Sequence, residues 1–283
     1  MEHWSAGDNR PYFTRPKSPP ARPAFLIACV LAGAAVAGYY GYDYWQQKQE
    51  RPAPSVALAP PTGAAPEAPE PAIRHPVDTA RFETSLPTLE NSDAMMREAL
   101  AGLLGRLPFE QMVYPVQLIR RIVATVDNLP RETAPRRVMP LQPVPGAFVT
   151  ASSGDDVSIG PANSARYAPY VRVTEMLESR ALVRRYVASY PLFQQAYEEL
   201  GFPNLQFNDR VVEAIDDLLA APDIAIPVNV VRPKILYQLA DPDLERLSAG
   251  QKIMIRMGSE NAAKVKGKLR EIRRELTAAE AAR

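Results

Sequence analysis

The sequence predicts a mainly α-helical globular domain with a small β-hairpin, preceded by one transmembrane helix and a Pro/Ala-rich tether. Three observations predict this: an apolar run near the N-terminus, a proline-rich segment behind it, and apolar residues at helical spacing beyond. The predicted boundaries are 1–22 for a disordered cytoplasmic tail, 23–45 for the transmembrane helix, 46–77 for the linker and 78–283 for the helical domain.

The apolar run from Ala24 to Tyr44 is the predicted membrane anchor. At 1.5 Å per helical residue it spans roughly 30 Å, the thickness of a hydrocarbon core, and only Asp43 is charged. More basic residues precede the run than follow it closely, which places the N-terminus in the cytoplasm and exports the domain. The preceding cations are Arg10, Arg15, Lys17 and Arg22, and the following ones are Lys48 and Arg51.

Alternatives to a retained anchor are open. Ala35–Ala37 matches the A-x-A pattern of signal-peptide cleavage. Leu26–Cys29 resembles a lipidation box, but the apolar stretch before it is short. Gly33, Ala37 and Gly41 recur at four-residue spacing, which would let two helices pack closely as a homodimer. Small residues occurring there by chance explain the spacing equally well.

Composition limits the partners of the chain. Residues 46–76 are rich in Pro, Ala and Glu, and as extended chain at ~3.1 Å per residue they would reach on the order of 80 Å. The formal net charge of +1 gives no electrostatic case for nucleic acid. The only cysteine is Cys29, so no disulfide can stabilise the domain.

The domain shows helical patterns throughout and one clear hairpin pattern, Phe148–Ile159. The segment Val228–Gln238 is ambiguous. The predicted helices are Ser92–Leu104 ended by Gly105, Val116–Val126, a series from Ala168 to Gly201 broken at Pro191, Asn208–Leu219, Asp241–Leu247, Ser248–Met257, and a long helix capped by Ser259.

Several phrases together give a family resemblance over nearly all of Leu86–Leu276. They are LIRRIVATVDNLPR from Leu118, PGAF from Pro145, NSARYAPYV from Asn163, YPLFQQAYEELGFP from Tyr190, FNDRVVEAIDDLLAAP from Phe207 and LSAGQKIMIRMGSENAAKVKGKLREIR from Leu247. The domain resembles the bacterial domain of unknown function family numbered 3014. The resemblance implies a Gram-negative-type envelope protein with one N-terminal span and no assigned activity or catalytic residues. Where the family has proline after Met-Gly, this chain has Ser259, and both residues begin helices.

The residues argue against most enzyme chemistry. The only histidines, His3 and His75, lie outside the predicted domain, so histidine-dependent nucleophiles and His/Cys zinc sites are excluded there. No phosphate-binding glycine motif is present. We therefore expect no catalytic residue, no cofactor and no metal.

Two histidine-free routes to catalysis remain. Paired carboxylates could cleave cell-wall glycan, and the densest group is Asp209, Glu213, Asp216 and Asp217. Helical spacing places these four together opposite an apolar face, which favours a solvated surface. Ser248 and Lys252 stand four apart like a Ser-Lys dyad, but Ser248 fits a helix N-cap better.

Two binding surfaces are candidates. Arg166, Tyr167 and Tyr170 form a polar and aromatic patch that could bind a partner. A basic C-terminal helix could contact phosphate groups, although a solvated face explains it more simply. Aromatic residues at helical spacing, which favour the core over a groove, are Tyr186, Tyr190, Phe193 and Tyr197.

The sequence thus predicts a single-pass protein of the bacterial inner membrane with a periplasmic domain. Its first partner is the lipid bilayer, through Ala24–Tyr44. Its second is an unidentified envelope component, either protein or cell wall, for which the domain acts as a non-catalytic binding or scaffold module. The alternatives are a carboxylate-dependent glycan enzyme and, with the opposite orientation, a basic cytoplasmic module.

Overall fold

The computed structural model describes residues 72–78, 85–224 and 227–281, which belong to one compact unit, residues 68–283. The predicted tail, the membrane helix and most of the linker lie outside these residues, as do Gly33, Ala37 and Gly41. In the described part of the chain no helix is long and apolar enough to cross a bilayer.

The described chain is mainly helical. The helices are α1 Asp93–Leu104, α2 Arg106–Met112, α3 Leu118–Asn128, α4 Ala168–Met176, α5 Ser179–Ala188, α6 Tyr190–Glu199, α7 Phe207–Leu219, α8 Pro242–Glu245, α9 Ala249–Met257 and α10 Ser259–Ala281. Four short strands form two hairpins: β1 Thr150–Ser153 with β2 Asp156–Ile159, and β3 Val230–Val231 with β4 Gln238–Leu239.

The main core lies where α1, α2, α3 and α6 meet the start of α7. Leu118, Ile119 and Val123 lie on one face of α3 and are at most 1% exposed, as is Phe207 of α7. This face follows directly from the 3.6-residue period of the sequence. The core residues of α3 were therefore correctly expected on one side of a helix.

The long helix α10 holds the other helices together. It packs against α4, α5, α7 and α9. Leu276 joins Val183, Val187 and Ile215 in one apolar cluster, and Ala262 joins a second cluster around Met254. The C-terminal apolar stripe thus connects helices that are far apart in sequence.

The two hairpins form a small β layer. Thr150 pairs with Ile159 in the first hairpin and Val230 with Leu239 in the second, both antiparallel. The backbone N–H of Ile159 donates to the carbonyl of Val228 at 2.8 Å, which joins the hairpins. The predicted Phe148–Ile159 hairpin is confirmed. The ambiguous segment Val228–Gln238 contains most of the second hairpin, which ends at Leu239.

The described chain packs onto the domain four residues before the predicted boundary at Asp78. The backbone N–H groups of Arg74 and His75 donate to the Asp209 carboxylate at 3.1 and 2.7 Å. The His75 carbonyl accepts from the Asn208 side chain. Residues 74 and 75 are therefore attached to the helical body through α7.

Helix starts agree with the sequence in position more than in capping chemistry. Ser248 caps α9 by accepting from the Gln251 backbone, as predicted. Ser92 precedes α1, but its hydroxyl donates back to the Leu89 carbonyl. Asn208 lies one residue inside α7 and is buried, so its expected role as N-cap was wrong. Pro191 lies in the first turn of α6, which begins at Tyr190, in agreement with the break predicted there.

Gly250 is expected to be intolerant of a side chain, whereas Gly102 is expected to accept one. A Cβ at Gly250 would lie 2.7 Å from Leu218 Cδ2 and 3.2 Å from the Leu129 carbonyl oxygen. Overpacking of this kind costs about 1 to 3 kcal/mol, which outweighs the helix propensity of alanine. Gly102, also in a helix, has nothing within 4 Å, so Gly102→Ala should stabilise by about 0.5 to 1 kcal/mol. If Gly250→Ala and Gly102→Ala shift the denaturation midpoint in the same direction, this prediction is contradicted.

Candidate functional site

An apolar crevice of about 190 Å³ opens between α1, α5 and α10 and is the candidate binding site. Its lining, in chain order, is Met96, Ala99, Leu100, Leu103, Ile122, Val126, Leu182, Val183, Arg185, Tyr186, Ser189, Phe193, Phe207, Val211, Ile272 and Leu276. Every lining residue except Arg185, Tyr186 and Ser189 is apolar. Concave sites with such a lining and few polar groups are the usual form of small-molecule sites.

The floor of the crevice is an aromatic cluster from α5, α6 and α7. The rings of Phe193 and Phe207 stack with centroids 5.9 Å apart and planes 5° apart. Tyr186 meets Phe193 edge to face at 5.3 Å. The predicted aromatic series is therefore packed into the core, and two of its four members, Tyr186 and Phe193, also face the crevice.

The walls are less buried than the floor. Leu100 and Leu103 of α1, Leu182 of α5 and Ile272 of α10 are all partly exposed, whereas Phe207 is 1% exposed. The crevice therefore presents leucine and isoleucine side chains to whatever enters it.

The tyrosine hydroxyls beside the crevice are used within the fold. Tyr186 donates to Asn208 Oδ1 at 3.1 Å, and Tyr190 lies 3.0 Å from Gln194 Oε1. Burial raises the pKa of Tyr186 well above its usual value. Burial also raises the pKa of Tyr190 to about 12. Both phenols are therefore neutral at physiological pH and act as hydrogen-bond donors.

These tyrosines predict alkaline instability. A phenol whose pKa is 10.0 when unfolded and about 12 when folded stabilises the fold fully below pH 10, and this contribution is lost as pH rises toward 12. For Tyr190 alone the loss is about 2 to 3 kcal/mol. Chemical denaturation between pH 8 and pH 12, with tyrosinate absorbance as a second signal, measures it. A Tyr190→Phe chain with the same pH dependence as the parent would contradict the prediction.

The predicted partner-binding residues Arg166, Tyr167 and Tyr170 lie near one another, and their side chains contact other parts of the domain. Arg166 donates to the carbonyls of Pro145, Val144 and Gly146, and to Asn163 Oδ1. Tyr170 donates to the Gln142 carbonyl at 3.1 Å. Tyr167 packs beside the cluster around Met254. Arg166 and Tyr170 therefore hold the 142–146 segment, and Leu141 is exposed beside it.

The four carboxylates of α7 each have a different partner. Asp209 accepts from the 74–75 backbone, and Glu213 pairs with Arg210 at 2.8 Å. Asp216 accepts two hydrogen bonds from Arg273, at 2.6 and 2.9 Å, and hydrogen bonding to Arg273 lowers the pKa of Asp216. Burial raises the pKa of Asp217, whose carboxylate accepts from Ser248 at 2.6 Å. These contacts tie α7 to its surroundings.

The Ser248 and Lys252 side chains are directed to different groups. Ser248 bonds to Asp217 and Gln251, whereas Lys252 Nζ donates to the Glu245 carbonyl at 2.8 Å. Four of the cations of α10 are also paired. The pairs in that helix are Lys264 with Glu260, Lys266 with Asp223, Lys268 with Glu271 and Arg273 with Asp216.

A buried ionic cluster at the end of α3 has no clear signal in the sequence. Asp127 is 5% exposed and accepts from Arg131 at 2.8 and 3.0 Å. Arg210 reaches it from α7, with Nε 3.2 Å from Asp127 Oδ1 but not aligned as a hydrogen bond. The only indication in the sequence is the helical spacing, which places Asp127 one turn after Val123 on the buried face of α3.

Within the described ranges, no group of His, Cys, Asp and Glu side chains could hold a metal ion.

These features define a class: a mainly helical domain with an apolar crevice, packed polar clusters and two minor hairpins. The chain belongs to the family described as "Protein of unknown function (DUF3014)", whose model matches residues 118–273, more than half of the 283 residues. This confirms the family resemblance of the sequence. The matched range contains the floor of the crevice, which α5, α6 and α7 form, and leaves out α1. Neither the curated proteins nor the solved structures give a match.

Proposed function

We propose that this protein is a non-catalytic binding module that is held at the bacterial inner membrane and receives an apolar ligand in the crevice. The anchor Ala24–Tyr44 and the proline-rich linker support the location, with the domain in the periplasm. The crevice supports binding and is the observation on which the proposal rests. The sequence predicts an envelope component, either protein or cell wall, as a partner, and the crevice adds a small apolar molecule as a ligand.

The size of the crevice favours a ligand over an ordinary packing defect. An engineered apolar cavity of ~150 Å³ stays dry and binds benzene. At about 190 Å³ the crevice is larger and is lined by the same residue types. By proportion it accommodates about seven or eight carbon atoms. Filling it would restore the dispersion contacts that its lining side chains lack.

The lining also excludes strongly polar ligands from its interior. Of the polar lining groups, the Tyr186 hydroxyl already donates to Asn208, Ser189 lies at the junction of α5 and α6, and Arg185 is exposed. A sugar or peptide would lose its hydration without gaining equivalent hydrogen bonds, which costs several kcal/mol. An alkyl chain or a small ring has no such cost.

Photo-crosslinking of the full chain in lipid nanodiscs tests the proposal. The probe is a neutral alkane of about eight carbons with a terminal diazirine, and adducts are mapped by mass spectrometry of peptides. We expect adducts on the α1 and α5 peptides that contain Leu100 and Leu182, in addition to those on the anchor peptide 24–44. Because the anchor lies in lipid, its adducts serve as an internal control.

A matched pair of variants separates the crevice from the surface of α1. Ala99→Phe places a ring in the crevice and should remove the α1 and α5 adducts, while the anchor adducts persist. Gly102→Phe adds the same ring at an exposed position of the same helix and should leave all adducts unchanged. Crevice adducts that are absent in the parent, or unaffected by Ala99→Phe, would refute the proposed ligand site.

Membrane orientation is tested separately. Reporters active only inside or only outside the cytoplasm are fused after Arg283 and assayed in intact cells. The proposal predicts activity of the exported reporter only. Activity of the cytoplasmic reporter would reverse the orientation and make the basic face of α10 the first surface to investigate.

A further inference from the structure

We propose that the ligand of the crevice is a fatty acid whose carboxylate pairs with Arg185 while its alkyl chain enters between α1 and α5. This inference rests on the proposed function, since it assigns the ligand of the same site. It is carried by the one cation that lines the crevice and by the length of chain that the crevice can hold.

Arg185 differs from the other arginines near it on α5. Arg180 lies 3.4 Å from a carboxylate oxygen of Glu275, and Arg184 lies 3.7 Å from one of Glu178. Arg185 is exposed and lines the crevice, and among the described residues no carboxylate lies within 4.0 Å of it. Its guanidinium is therefore an uncompensated charge at the edge of an apolar site.

A carboxylate is the anion that this arrangement fits. The planar fork of guanidinium matches a carboxylate with two parallel hydrogen bonds, and the head group remains at the exposed edge, where its desolvation is small. Arginine commonly places its methylene stem along apolar surface while its charged group stays in water. An amphiphile with one charge and one chain therefore satisfies both the rim and the interior.

The volume sets the length of chain that is buried. At about 190 Å³ the interior holds about seven or eight carbons, so longer fatty acids would leave their remaining methylenes outside. Each buried methylene should strengthen binding about fourfold. We expect affinity to rise along a series of straight-chain carboxylates and to level off near octanoate.

The test is competition in the nanodisc crosslinking experiment, with octanoate and octanol as competitors. Both carry the same chain length, and crevice adducts are counted relative to anchor adducts. In the parent chain we expect octanoate to compete at a concentration about three- to fivefold lower than in the Arg185→Gln chain, the gain typical of an exposed ion pair. Arg185→Gln should lose this gain while octanol competes as before.

Arg184→Gln is the matched control, because it removes the adjacent exposed arginine, which is paired with Glu178. Each variant is compared with the parent for the same competitor in the same nanodiscs, so partitioning into lipid cancels. Equal octanoate competition in the Arg185→Gln and Arg184→Gln chains would overturn the carboxylate assignment and leave the apolar site intact. Absence of crevice adducts in the parent would overturn both proposals.

Discussion

Arg210→Ala is expected to destabilise the domain by about 3 to 5 kcal/mol, because it leaves the Asp127 carboxylate buried with one of its two cations missing. The side chain of Asp127 is 7% exposed and that of Arg210 is 14% exposed, so water cannot replace the lost charge. Arg210 also donates to the Asp127 backbone carbonyl and pairs with Glu213. Chemical denaturation of the full chain, followed by near-ultraviolet circular dichroism, gives the free energy of unfolding.

Two further variants make this prediction specific to burial. Arg246→Ala removes an arginine whose side chain is 73% exposed and whose partner Asp243 is 80% exposed, and should cost less than about 1 kcal/mol. Adding Asp127→Leu to Arg210→Ala should recover part of the loss, since the buried carboxylate that lost one of its two cations is then also absent. If Arg210→Ala costs no more than Arg246→Ala, the remaining partner Arg131 is sufficient for Asp127.

Phe207→Ala is expected to destabilise the domain by about 3 to 5 kcal/mol through the cavity that it creates. Phe207 is 1% exposed and stacks on Phe193 within the floor of the crevice. Its ring also lies 5.4 Å from that of Tyr197. The same denaturation measurement checks the loss, and Leu107→Ala, at a position 68% exposed, should change stability by less than about 0.5 kcal/mol.

This substitution also enlarges the crevice, which gives a second measurement. Phe207→Leu keeps most of the volume and should cost less than the alanine variant. If the floor is where the alkyl chain ends, Phe207→Ala should shift the preferred carboxylate from octanoate toward longer chains. A large loss of stability with an unchanged chain-length preference would place the end of the chain elsewhere in the crevice.

The helical architecture could be predicted from the sequence because local signals agree with the packing. Leu118, Ile119 and Val123 repeat at helical spacing and are buried together, and Pro191 lies in the first turn of a helix. Helix α2 was missed because Pro108 lies in its first turn, where proline is tolerated but resembles a loop signal. The β3–β4 hairpin was missed because its strands are only two residues long.

The candidate site could be predicted only in part. The aromatic series at Tyr186 and Phe193 was visible, and its burial was expected. The crevice itself was not, because it arises where α1, α5 and α10 fail to close over that series, and such a gap depends on side-chain volumes across distant segments. The patch at Arg166 was visible as residue types, but its bonds to the 144–146 carbonyls depend on the path of a loop.

The attachment of Arg74 and His75 to Asp209 sets where mechanical load would enter the domain. A pull on the proposed tether would reach α7 first, through hydrogen bonds of 3.1 and 2.7 Å, before it reached α1. Helix α7 also supplies Phe207 and Val211 to the crevice. A pull on the N-terminal segment would therefore act on a helix that lines the crevice, so that occupancy of the crevice should respond to tension on that segment.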